Sequence, residues 1–124
     1  MKYLLDSNVL IYATKPLVEY TPLRQWVKHP DVAISALSQV EVLGFHNLEA
    51  RDAIYLQLAL KRLPQLAITD AVLKRAVQVR QQFRLKTPDA IIAATALEHD
   101  LVLVTTDNGF GRVAGLGLID PLVS

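Results

Sequence analysis

Four carboxylates stand out by position: Asp6, Glu41, Asp89 and Asp107. Asp6 closes the apolar run Tyr3-Leu4-Leu5 and leads into Val9-Leu10-Ile11, where the pattern turns helical. Asp107 follows Leu101-Val-Leu-Val-Thr105 in the same way, and Asp89 sits at the helix start Thr87-Pro88-Asp89. Ligands of open α/β sheets bind beyond the carboxyl ends of the strands. In a parallel sheet, strand exits and helix starts share that edge. Carboxylates gathered there repel one another, and a hard divalent cation with oxygen ligands relieves the repulsion. Mg²⁺ is held by a few carboxylates together with waters and phosphate oxygens. Two such ions stabilise the attacking and leaving oxygens of a phosphoryl displacement. The pattern therefore points to metal-assisted hydrolysis of a phosphate ester. With no cysteine in the chain, Mg²⁺ or Mn²⁺ is favoured over zinc.

Each acid also has an ordinary structural reading. Asp6 is a good helix cap, and Asn8 a turn residue or an orienting amide. Glu41 follows Ser38 at the Ser-x-x-Glu spacing of a capping box, a role in which Ser38 also holds the glutamate in place. Asp89 is favoured by the helix dipole by roughly 0.3–1 kcal/mol, and Asp107 suits a cap. An unpaired carboxylate on a buried helix is costly, however, and a metal offsets that cost. Other chemistries lack their residues. His29, His46 and His99 form no HxH or HExxH spacing, and no Gly-rich phosphate loop or G-x-S-x-G elbow is present. A small phosphohydrolase with Asp6 as phosphoacceptor is an alternative, although the Asp-x-Asp type needs Asp where Asn8 stands.

These residues need elements to position them. A short buried strand delivers Asp6, and a helix starting at Ser7 or Asn8 runs to residue 14, where Lys15-Pro16 ends it. A second helical piece covers 22–28, with Pro22 in its first turn. Val32–Ser35 is a short strand, followed by a helix from about Ser38 to Phe45. Residues 49–62 carry Ala53, Leu56, Leu60 and Leu63 on one helical stripe. Residues 65–68 read as a strand. Thr69 or Asp70 caps a long helix to about Arg84, striped by Val72, Ala76, Val79 and Phe83. Residues 88–99 are apolar nearly all round, so a buried helix is expected, capped by Thr87 with Pro88 first. Residues 101–105 are a buried parallel strand, Asp107-Asn-Gly-Phe a loop or short helix, and 117–119 a last strand. The alternation predicts a three-layer α/β/α fold with a central, mostly parallel sheet.

The 124 residues suit a single domain, 1–124, able to bury a real core. A hydrophobic content of 52% with 20% charged residues argues against disorder. No apolar run is long enough to cross a bilayer, and the N-terminus has no secretory pattern, so a cytoplasmic protein with no membrane contact is expected. The net charge of +1 is unevenly spread. Residues 53–88 hold seven basic side chains against one acid, Asp70, and the remainder six against eleven. A basic face beside an acidic cleft is what a nuclease needs, and solvated faces of amphipathic helices are the ordinary reading of the same residues. Lys86, three residues before Asp89, and Arg112, five after Asp107, are candidate phosphate contacts.

Leu5-Asp6-Ser7-Asn8, Ser38-x-x-Glu41, Lys86-Thr-Pro-Asp89-Ala and Leu103-Val-Thr105-Thr-Asp107-x-x-Phe110 together resemble the PIN domain. More closely, they resemble the VapC-type toxins of prokaryotic toxin–antitoxin pairs. The resemblance spans the chain in order and implies a PIN-like fold and a Mg²⁺- or Mn²⁺-dependent endoribonuclease acting on RNA. It implies that Asp6, Glu41, Asp89 and Asp107 hold the metal and activate water. Thr105 matches the family's site hydroxyl, and Asn8 its supporting polar residue. It also implies a homodimer silenced by a cognate antitoxin whose C-terminal segment enters the active-site groove. Some members carry a further acid just after the Asp107 position; here Asn108, Gly109 and Gly111 stand there, which leaves one-ion and two-ion versions open. A non-catalytic PIN-like module that binds RNA or protein is the alternative within the family.

Overall fold

The computed structural model describes residues 1–123. Five strands alternate with helices: β1 (Tyr3–Leu5), α1 (Ser7–Ala13), α2 (Thr21–Val27), β2 (Val32–Ser35), α3 (Ala36–Leu43), α4 (Ala50–Arg62), β3 (Gln65–Leu66), α5 (Asp70–Phe83), α6 (Thr87–Glu98), β4 (Val102–Val104) and β5 (Leu118–Ile119). Short 3₁₀ turns cover Val18–Tyr20 and Asn108–Arg112. All strand pairs are parallel, in the order β3-β2-β1-β4-β5. This is the expected three-layer α/β/α architecture.

The two outer layers follow from alternation along the strands, where successive side chains point to opposite faces. Leu4 and Leu103 face one layer, against Val72, Ala76 and Val79 of α5, Ile92 and Ala93 of α6, and Phe110. Their neighbours Leu5 and Val104 face the other, against Val9 and Leu10 of α1, Leu23 of α2, Val42 of α3 and Leu56 of α4. Helix α6 is buried because it is built of small residues: Ala90, Ala93, Ala94, Ala96 and Thr95 are all nearly inaccessible to solvent.

The sheet order matters for function. From β1 the chain winds outward through β2 to β3, then crosses back to β4 on the opposite side of β1 and continues to β5. The winding therefore reverses between β1 and β4. A crevice opens at such a switch point, beyond the carboxyl ends of the strands. Leu5 pairs with Val104, and the Asp6 amide donates to the Val104 carbonyl at 3.0 Å. The residues leaving β1 and β4 thus emerge side by side.

Three local expectations are corrected. Helix α3 starts two residues earlier than expected, because the Ser35 hydroxyl already accepts from the Leu37 amide at 3.1 Å. Ser38 is therefore inside the helix and is not its cap. Thr87 does not cap α6; Lys86 takes the cap position without a side-chain bond, and Thr87 opens the helix. The strand expected over 65–68 pairs only through Gln65 and Leu66, at the sheet edge beside Ile34 and Ser35.

Close packing of α6 generates a prediction. Ala94 has no exposure, so Ala94→Leu must displace its neighbours and should lower unfolding free energy by about 1–3 kcal/mol in urea titrations.

Candidate active site

Asp6 leaves β1 with only 5% of its surface exposed. Both carboxylate oxygens are engaged: Oδ1 accepts from the Ser7 amide at 2.8 Å and Oδ2 from the Thr105 hydroxyl at 2.7 Å. It caps α1 from the β conformation, so the structural reading of Asp6 holds. Thr105, leaving β4, has a second task. Its Oγ1 accepts from the Asp107 amide at 3.0 Å, fixing the turn that presents that acid. Asp107 in turn caps the 3₁₀ turn through Gly109 N at 2.8 Å. A Cβ at residue 109 would stand 3.1 Å from the Asp107 carboxylate, a tight contact that glycine avoids.

Glu41 and Ser38 meet the site through a residue that reads in the sequence only as a helix start. Ser7 Oγ lies 2.7 Å from Glu41 Oε1 and 2.9 Å from Ser38 Oγ. A hydroxyl has one proton. Ser7 therefore donates to the carboxylate, and Ser38 donates to Ser7. Buried Ser38 thus acts on Glu41 through Ser7, which replaces the capping-box geometry. Asn8 makes no side-chain hydrogen bond to any of the four acids among the described residues. Asp89 stands half-buried in the first turn of α6.

The four charges feel one another. Burial pushes the Asp6 carboxyl up from 3.8 to about 6; the Thr105 and Ser7 hydrogen bonds oppose this, while Asp89 and Glu41 add to it. Asp89 is also raised, by burial first and then by Asp107 and Glu41, with Lys86 opposing. Among the described residues, no three acidic or histidine side chains converge into a ready-made cation cage. The donor set nevertheless fits a hard cation that keeps part of its water shell. It is all-oxygen and anionic, and the raised Asp6 and Asp89 carboxyls show that the protein's own donors and cations compensate its charge only in part.

A cavity of about 220 Å³ opens at Asp89 and Asp107, and its remaining charged lining is cationic: Arg84, Lys86 and Arg112. Both expected phosphate contacts therefore reach the acid site. Arg84 belongs to the basic segment seen in the sequence, but nothing there marks it individually.

Fold and site together define a parallel α/β protein with carboxylates at the switch point of its sheet and cations beside them. The chain belongs to the PIN domain family, whose model matches residues 3–116. Several solved structures are similar to it over nearly the whole chain. It is 31% identical to a chain of a toxin–antitoxin complex from Klebsiella pneumoniae, with a TM-score of 0.79 and coverage of 97% of this chain and 98% of that one. FitAcB from Neisseria gonorrhoeae is 25% identical, with a TM-score of 0.77 and coverage of 96% and 97%. DNA-bound VapBC from Salmonella typhimurium shares the fold at 23% identity, with a TM-score of 0.83 and coverage of 98% of both chains. No curated protein matches the sequence significantly.

The raised Asp6 carboxyl has a consequence for stability. A folded-state value above the unfolded one favours folding while the group is protonated. Its contribution is complete below about pH 4 and is lost as pH rises through about 6, on the order of 3 kcal/mol at most. In chelator, Asp6→Asn should therefore melt several degrees above the parent at pH 7.5 and close to it at pH 4. A gap that does not depend on pH would contradict the buried-charge account.

Proposed function

We propose that the chain is a Mg²⁺- or Mn²⁺-dependent endoribonuclease, working as one domain and as the toxin of a toxin–antitoxin pair. The observation that carries this reading lies at the β1–β4 switch point, where Thr105 links Asp6 to Asp107 and Ser7 links Asp6 to Glu41, beside a cavity that Asp89 and Asp107 line together with three cations. Asp6, Glu41, Asp89 and Asp107 would hold the cation. When bound, it supplies charge neutralisation at the phosphate and a water of lowered pKa. The protein's own groups do the rest. Thr105 fixes Asp6 and Asp107 relative to each other, and Ser7 with Ser38 orients Glu41. Lys86 and Arg112 hold backbone phosphate oxygens of the RNA. Hydrolysis adds water across one P–O bond, and the strand parts into two pieces.

Two surfaces support the partners. Exposed Ile54 and Leu58 with Leu43 form the apolar part of a groove of about 300 Å³ between α3 and α4, which Gln39, Gln57 and Lys61 also line, a suitable seat for an amphipathic antitoxin segment. Leu73 and Val77 expose a further apolar stripe on α5 that suits a second copy of the chain. No helix is long and apolar enough to cross a membrane among the described residues.

The deciding experiment is cleavage of a structured RNA pool by purified protein with Mg²⁺, Mn²⁺ or EDTA. Cutting should require metal and should fall about 100-fold or more in Asp6→Asn and in Asp89→Asn, with the fold retained. Metal-independent RNA binding without turnover would instead favour the non-catalytic alternative. For the partner, Ile54→Glu combined with Leu58→Glu should leave cleavage unchanged and abolish co-purification with the protein encoded beside this chain's gene.

A further inference from the structure

We infer that Arg84 is a substrate contact that grips a backbone phosphate of the bound RNA strand, and that its strained main chain is retained for that purpose. The inference rests on the RNA-cleavage reading and adds to it a residue that no sequence motif marks. Arg84 ends α5 with φ 57° and ψ 37°, in the left-handed region, where its amide donates to the Arg80 carbonyl at 3.0 Å. Glycine is the usual residue at such a helix end, because a Cβ makes that conformation unfavourable. Among the described residues one other non-glycine has a positive φ, Asp100 after α6. Its short polar side chain tolerates the region; a long arginine gains nothing local from it.

Local structure does not explain the choice of arginine. Among the described residues the only ion pair is Arg75–Glu98, and no side-chain hydrogen bond uses the Arg84 guanidinium. What the position does provide is access to the acid-lined cavity, whose wall Arg84 shares with Lys86 and Arg112. Leu85, buried between Arg84 and Lys86, anchors the link from α5 to α6 in the core, so the two cations are carried on a fixed segment. Three unpaired cations facing Asp89 and Asp107 suit a polyanion that has to approach carboxylates. The arginine fork matches two phosphate oxygens at once.

The test separates charge from strain. RNA affinity is measured with a labelled single-stranded pool in EDTA over a range of salt, for the parent, Arg84→Gly, Arg84→Ala and Arg84→Lys. Parent cleavage with Mg²⁺ or Mn²⁺ is measured beside it. Arg84→Gly should melt no lower than the parent, yet bind RNA roughly 5- to 10-fold more weakly. The slope of log affinity against log salt should become shallower by about 0.7, as for one lost phosphate contact on a single strand. Arg84→Ala should lose the same slope, and Arg84→Lys should keep it. Parental affinity and slope in Arg84→Gly, with the parent still cleaving, would overturn the role of Arg84 and leave the nuclease reading intact. A parent that neither binds nor cleaves RNA would overturn both. A parent that binds without cleaving would overturn only the nuclease reading, and the slope would still decide on Arg84.

Discussion

The structure turns on a carboxylate that is almost out of reach of water. Asp6 is held by one main-chain donor, Ser7 N, and one side-chain donor, Thr105 Oγ1, and the second comes from 99 residues away in the chain. That bond requires β1 and β4 to be neighbours in register, which the central sheet provides. Burial without full compensation raises the carboxyl to about 6. The protein thus keeps an acid whose charge its own donors only partly stabilise. A positive charge placed beside such a group would favour its ionised form.

Scaffold and site use the same atoms. Asp6 caps α1 and Asp107 caps a 3₁₀ turn, and neither role removes the acid from the crevice. Capping fixes the side chain in one orientation, whereas a free surface carboxylate would sample several. Thr105 shows the economy most clearly, since one hydroxyl donates to Asp6 and accepts from the Asp107 amide. On the opposite side, the Ser38–Ser7–Glu41 relay ties the start of α1 to α3. For Asp6 and Asp107, serving as a cap and lining the crevice are therefore compatible.

Much of this is legible in the sequence, and the limits have physical causes. Apolar runs ending in Asp6 and before Asp107 mark two strand exits, and the all-round apolar 88–99 stretch marks a buried helix. These are local periodicities, which a chain displays directly. Ser7 is not legible as a site residue, because its partners Ser38 and Glu41 lie 31 and 34 positions away. Ser38-x-x-Glu41 imitates a capping box, and the real cap, Ser35, is hidden inside the strand pattern it terminates. The sheet order β3-β2-β1-β4-β5, and with it the switch point, is a tertiary fact. So is the left-handed turn at Arg84, since arginine is not a residue from which that conformation is expected.

The cavity has two walls of different construction, and this bears on how its tasks divide. Asp107 comes from a strand exit, and its position is set by the sheet and by Thr105. Arg84 and Lys86 come from the short link between α5 and α6, fixed through buried Leu85 rather than through the sheet. Asp89, at the start of α6, joins the two: burial first and then Asp107 and Glu41 raise its carboxyl, and Lys86 opposes them. Changes in the link can therefore alter charge on the cationic wall without moving Asp6, Thr105 or Asp107. The charge carried by the link and the carboxylates at the strand exits are then separable by mutation.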